Sequence, residues 1–168
     1  CTGWSGEFDK EEGMTVEYRE ATLEDFNYIF DLGRLMHEES CYSHLEFSSK
    51  RLFEIMDMYI QDPDRVIFLA IRDGEALGLY AGFVSKYFFS EELVANDVAW
   101  FVLKDKRGSR IGLRLLDKFE EWAEGRGVSE VRLGFTTDIN SEAFDSLMKK
   151  RGYNKVGSNY RLNGKEKR

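Results

Sequence analysis

With 168 residues, 42% of them apolar and 14% aromatic, the chain is large enough to bury one good core and too small for two domains of ordinary size. A net charge of −7 argues against a broad phosphate-backbone footprint, and hence against nucleic acid as a partner, but suits attraction of a cationic amine. No apolar run approaches the roughly twenty residues of a membrane span; only Cys1 and Cys41 are present, and the start lacks the basic flank and apolar core of a secretory signal, so a reducing cytoplasm is expected.

Residues 1–13 begin without methionine and precede Met14, so they are expected to be an appendage, with the domain over 14–163 and a solvated basic tail over 164–168. Residues 15–20 alternate Val16 and Tyr18 with polar groups and predict a strand. Thr22, with Asp25 three positions on, predicts a helix start, and Phe26, Ile29, Phe30, Gly33 and Met36 make that helix's buried stripe. Residues 38–47 lack a clean period and read as a loop or an irregular extension of the helix. Ser48 or Ser49 caps a second helix that ends at Pro63. Residues 66–71 and 76–89 read as strands joined by Asp73-Gly74, a pair suited to a tight hairpin turn.

A further strand covers residues 98–103. It runs through a basic turn into a helix whose stripe is Ile111, Leu115, Phe119 and Trp122, stopped by Gly125 and Gly127. The first turn of such a helix has N–H groups without intrahelical partners and carries the positive end of the macrodipole, so it attracts an anion. Arg107, Gly108, Ser109, Arg110, Ile111 and Gly112 stand there: the glycines let a phosphate approach the backbone and the arginines add charge. Beyond it, residues 131–137 predict a strand parallel to the one before the turn. Asn140 or Ser141 caps a last helix before Gly152, and residues 153–162 predict a closing strand.

The run from Arg107 to Gly112 resembles the coenzyme-binding signature of the GNAT superfamily of acetyl-CoA-dependent N-acetyltransferases: Arg or Gln, two residues, Gly, one residue, then Gly or Ala. Here the middle glycine is Arg110, a departure. The order strand, two helices, three antiparallel strands, helix, strand, helix, strand is also that family's order. The resemblance therefore implies an α/β (α+β) GNAT fold, with a mixed, mostly antiparallel sheet of six or seven strands, about four helices, and splayed parallel strands that form the acetyl-CoA cleft.

The resemblance further implies that Val102 and Leu103 offer backbone partners to the pantetheine arm, that residues 107–112 hold the pyrophosphate, and that Asn140 hydrogen-bonds the coenzyme. A protonated amine must lose its proton before it attacks the thioester, and Asp97 is the candidate base, with Asn96 orienting a water. The family's usual proton donor to the leaving thiolate is a tyrosine at a position held here by Met148, so Tyr153, Tyr160 or solvent is expected to serve. His37, Glu38, Glu39 and Tyr42 fall in the family's acceptor lid, where acidic and aromatic groups suit an ammonium-bearing small molecule or peptide. No metal is implied, and a homodimer is the family's frequent assembly. The competing reading is a regulatory or interaction module that binds acyl-CoA with little or no turnover.

Overall fold

The computed structural model describes residues 7–11, 14–134, 141–160 and 162. The chain divides into two units, 1–134 and 135–168.

In the first unit six strands form one sheet in sequence order: β1 (Glu7–Glu11), β2 (Met14–Glu20), β3 (Arg65–Arg72), β4 (Glu75–Lys86), β5 (Leu93–Val102) and β6 (Glu130–Arg132). All neighbours are antiparallel except β5 and β6. Residues 7–11, expected to stand outside the domain, pair with β2 from Glu7 opposite Tyr18 to Glu11 opposite Met14 and form the sheet's edge.

Helices cover both faces. On one lie α1 (Phe26–Glu39) and α2 (Ser49–Gln61), whose Ile29, Leu32, Met56 and Tyr59 pack with Ile67, Leu69, Ile71, Leu79 and Ala81 of β3 and β4. On the other lies α3 (Ile111–Gly125), where Phe119 stacks on Tyr80 at a ring separation of 4.6 Å. Because β3 is covered on both sides, Val66 through Ile71 are all buried, a continuous apolar run in place of alternation. Gly78 and Gly82 of β4 let α3 come close: a methyl on Gly82 would lie 2.3 Å from the Phe119 ring and 2.7 Å from the Asn96 carbonyl.

The local signals act as their chemistry dictates. Asp73 and Gly74 both take positive φ, 51° and 76°, closing the β3–β4 hairpin. The Ser48 side chain accepts the Arg51 N–H at the start of α2. At the β2–α1 corner Asp25 accepts the Thr22 N–H at 2.8 Å and both Arg19 guanidinium nitrogens at 2.7 and 2.8 Å. Gly127, with φ 71°, follows α3 and supplies its left-handed stop.

The second unit contains α4 (Ser141–Lys150), closed by Gly152 at φ 88°. Of residues 153–162, expected as a closing strand, the described 153–160 and 162 have no regular structure, and Val156, Tyr160 and Leu162 stand in solvent. A strand's N–H and C=O groups need a ladder, and this segment has none among the described residues. Residues 135–137, the remainder of the strand expected after α3, lie outside the described residues. No described helix is long and apolar enough to cross a membrane.

Candidate active site

The strand β5 changes partners along its length. At its start it pairs with β6 through three positions, Val94 with Glu130, Ala95 with Val131 and Asn96 with Arg132, and there the parallel ladder stops. On the other edge it stays with β4 to Val102, but the register slips at Gly82, which faces Asp97, while Ala81 faces Ala99. Val98 is thus the extra residue of a bulge and is exposed. The second half of β5, beyond the bulge, has β4 on one edge and no strand of the described residues on the other.

Asp97 stands where the two strands part. Its Oδ1 accepts the N–H of Gly134 at 2.7 Å, a contact that continues the β5–β6 association by side chain after the ladder ends. The carboxyl is half-buried, and burial pushes its pKa up to about 6 despite the Gly134 bond, which favours the charged form. No cation pairs with it in any described ion pair. Asn96 points elsewhere: its Nδ2 donates to Ser85 Oγ and the Val94 carbonyl at 3.3 and 3.4 Å.

The open edge of β5 presents backbone groups. Leu103 N–H donates to the Leu77 carbonyl at 2.9 Å, so the antiparallel alternation turns the N–H and C=O of Val102 away from β4, toward the open edge. The Val102 N–H can therefore pair with an extended ligand, while its carbonyl already accepts Arg107 Nε at 3.0 Å. Leu103, expected to do the same, has its N–H committed to β4.

Past β5 a single 3-10 turn (Lys104–Lys106) leads into the loop of residues 107–112. Gly108 takes φ 90°, with nothing within 4 Å of where a Cβ would sit, and reverses the chain. Ser109 Oγ donates to the Lys106 carbonyl at 2.7 Å and accepts the Ile111 N–H at 3.3 Å, bracing the exit. Arg110 is the N-cap with φ −79° and ψ −7°, a right-handed conformation open to any residue. The loop's one left-handed position is Gly108, so arginine in place of the family's middle glycine brings no strain. The first backbone bond of α3 runs from Arg114 N–H to the Arg110 carbonyl at 2.9 Å, which directs the N–H groups of Gly112 and Leu113 out of the helix end. Trp100 Nε1 donates to the Gly112 carbonyl at 3.1 Å and ties this end to β5.

These features fit a pyrophosphate followed by an extended arm: outward N–H groups at a 15-residue helix's positive end, Lys104, Lys106 and Arg110 close by in sequence, and an adjacent unpaired strand edge. Arg107 is already engaged, donating to the Val102 carbonyl and to Glu39. Asn140 lies outside the described residues.

The residues expected on the acceptor side are also partly engaged. Glu38 pairs with Arg34 one turn earlier, and Glu39 with Arg107. His37 lies against the Phe47 ring at 5.4 Å, and its buried Nε2 has no hydrogen-bond partner among the described residues. Tyr42 follows on the turn after α1, half-buried, its N–H on Ser40 Oγ. Tyr153, half-buried, and Tyr160, exposed, belong to the second unit; the Tyr153 N–H donates to the Met148 carbonyl. Among the described residues no group of three or more His, Cys, Asp or Glu is arranged to hold a metal ion.

Three participants lay beyond sequence reading: Gly134, Trp100 as the tie to Gly112, and the pairing of Glu39 with Arg107. Each joins segments far apart in sequence and carries no local spacing signal.

Residues 32–153 match the acetyltransferase (GNAT) family, and the chain belongs to that family. It is an N-acetyltransferase, of a family that uses acetyl-CoA. Aminoglycoside N(6')-acetyltransferase type 1 of Klebsiella aerogenes is 27% identical over 126 residues, covering 73% of this chain and 78% of the relative. The same fold occurs in an aminoglycoside acetyltransferase from an uncultured soil metagenomic sample in complex with sisomicin, with a TM-score of 0.68, 16% identity, and coverage of 88% of this chain and 95% of that one. A predicted acetyltransferase of Clostridium acetobutylicum with acetyl-CoA has a TM-score of 0.70, 16% identity, and coverage of 90% and 98%.

Proposed function

We propose that this enzyme transfers the acetyl group of acetyl-CoA to a primary amine of a small polycationic molecule of the aminoglycoside kind, by direct attack within a ternary complex. The observation that carries this is the half-buried Asp97 carboxyl, with a pKa of about 6, at the point where β5 and β6 part. The named activity of the Klebsiella relative and the charge of −7 support an acceptor bearing several ammonium groups.

Bound acetyl-CoA supplies a thioester carbonyl open to attack and a thiolate leaving group. The chain's part is to hold and to move protons. Residues 108–113 receive the pyrophosphate, Val102 pairs with the arm along the open edge of β5, and N–H groups on that edge polarise the carbonyl oxygen. Asp97, ionised above pH 6, takes the ammonium proton directly or through a water, so the nitrogen lone pair is free to form the N–C bond as the C–S bond breaks. The thiolate takes its proton from solvent, a modest demand for a group with a pKa of about 8.5. His37 and Tyr42 are the acceptor contacts, since the charges of Glu38 and Glu39 are met by arginines. A cytoplasmic setting suits the Cys41 thiol, and a homodimer is the assembly we expect; size-exclusion chromatography tests the latter.

Thiol release from acetyl-CoA, followed with aminoglycosides, polyamines and peptides and with the acetylated product identified by mass, tests the reading. The expected result is turnover with aminoglycosides above the other classes. Tight acetyl-CoA binding with no transfer to any acceptor would favour the non-catalytic module.

A further inference from the structure

Arg107 is the first residue of the coenzyme signature, and its guanidinium is held on three sides. Nε donates to the Val102 carbonyl at 3.0 Å, an outer nitrogen donates to Glu39 Oε2 at 2.7 Å, and the group lies 5.2 Å from the Phe101 ring centre. Glu39 is the last residue of α1, a helix fixed by burial of Ile29 and Leu32. The cation therefore also sits by the negative end of the α1 dipole. From this geometry we infer that Glu39 is a positioning residue for coenzyme binding: acting through Arg107, it clamps the entry of the phosphate loop to α1 and to the end of β5.

The inference rests on the acetyl-CoA reading above and reassigns Glu39, whose expected place was among the acceptor contacts. The loop needs such a clamp. Directly after Arg107 the chain reverses at Gly108, the residue with the most backbone freedom to lose. Ser109 secures the exit of the reversal through Lys106 and Ile111, and Arg107 ties its entry to another element. Left unclamped, the loop would be ordered by the coenzyme itself, and affinity would fall accordingly. Both partners are about one-third exposed at 32% and 29%, so the pair contributes little to global stability. Its effect should appear in coenzyme binding.

The test is a double-mutant cycle on the full chain with E39Q, R107M and the pair, measuring acetyl-CoA Kd by calorimetry together with kcat and both KM values. E39Q is expected to raise Kd and KM for acetyl-CoA about three- to tenfold, the range of one charge-assisted bond in partly exposed surroundings. Acceptor KM and kcat should stay within about twofold, and E39Q should add nothing in the R107M background. Amide exchange over residues 104–110 of the free enzyme should quicken in E39Q with the melting temperature unchanged. An unaltered coenzyme Kd, additive effects in the cycle, or a rise confined to acceptor KM would overturn the assignment, the last restoring Glu39 as an acceptor contact. Failure of the wild-type chain to bind acetyl-CoA would instead sink the functional reading on which the assignment rests.

Discussion

Two aspartates withdrawn from water meet opposite fates. At the β2–α1 corner burial alone would raise the pKa of Asp25, but two bonds from Arg19 and one from the Thr22 N–H outweigh it and hold the carboxyl below its ordinary range. At the β5 bulge Asp97 has only backbone amides, those of Gly134 and its own residue, to favour its charge, and burial prevails. Burial is common to both; the countercharge separates a structural anchor from a group poised to exchange a proton near neutrality.

The largest effect expected from this contrast is on Asp97. Replacing it with Asn should lower kcat by about 10²- to 10⁴-fold with little change in acetyl-CoA affinity, measured by steady-state kinetics and calorimetry. In the wild type, kcat/KM should rise with pH through about 6 as the base ionises, a limb that D97N should lose. The linkage sign is distinctive. Because the folded pKa lies above the unfolded one, Asp97 makes the fold less stable as pH climbs from about 4 to 6, so D97N should melt a few degrees higher than wild type at neutral pH.

Asp25 should behave in reverse. Its folded pKa is depressed, so its contribution is present above the unfolded value and lost as pH falls below about 4. D25N leaves Arg19 short of its partner and should cost about 2–3 kcal/mol by denaturant melts, while kcat of the folded fraction is retained.

Smaller effects fall on the loop of residues 107–112. Gly108→Ala forces a side chain into φ 90° and should cost about 1 kcal/mol, read as a several-fold weaker acetyl-CoA Kd. Arg110→Gly should change that Kd by less than about threefold, since the backbone there is right-handed and any loss is of one partly screened charge.

The same pair of regions marks how far the sequence was legible. Thr22 and Asp25, Asp73-Gly74 and Ser48 act through contacts within a few residues, and spacing alone placed them. The apolar stripe of α3 was equally plain, because a helix's period is written in its own residues. Arg110 stood out as a mismatch to the signature, yet only the backbone angles show that Gly108 already meets the loop's need for a left-handed residue. The bulge at Val98, the parting of β5 from β6 and the Glu39–Arg107 pair depend on register and packing between distant segments, which leave no local pattern. For residues 153–160 the expected strand finds no ladder among the described residues, a matter of pairing that their own sequence does not carry.

The central claim is that the open edge of β5 and the first turn of α3 together receive acetyl-CoA. Amide hydrogen exchange with and without saturating acetyl-CoA measures this residue by residue. Protection should rise over residues 97–102 and 108–113 and stay unchanged over 14–25, the Asp25 corner. Unchanged exchange at the β5–α3 junction, or protection confined to other segments, would contradict the account.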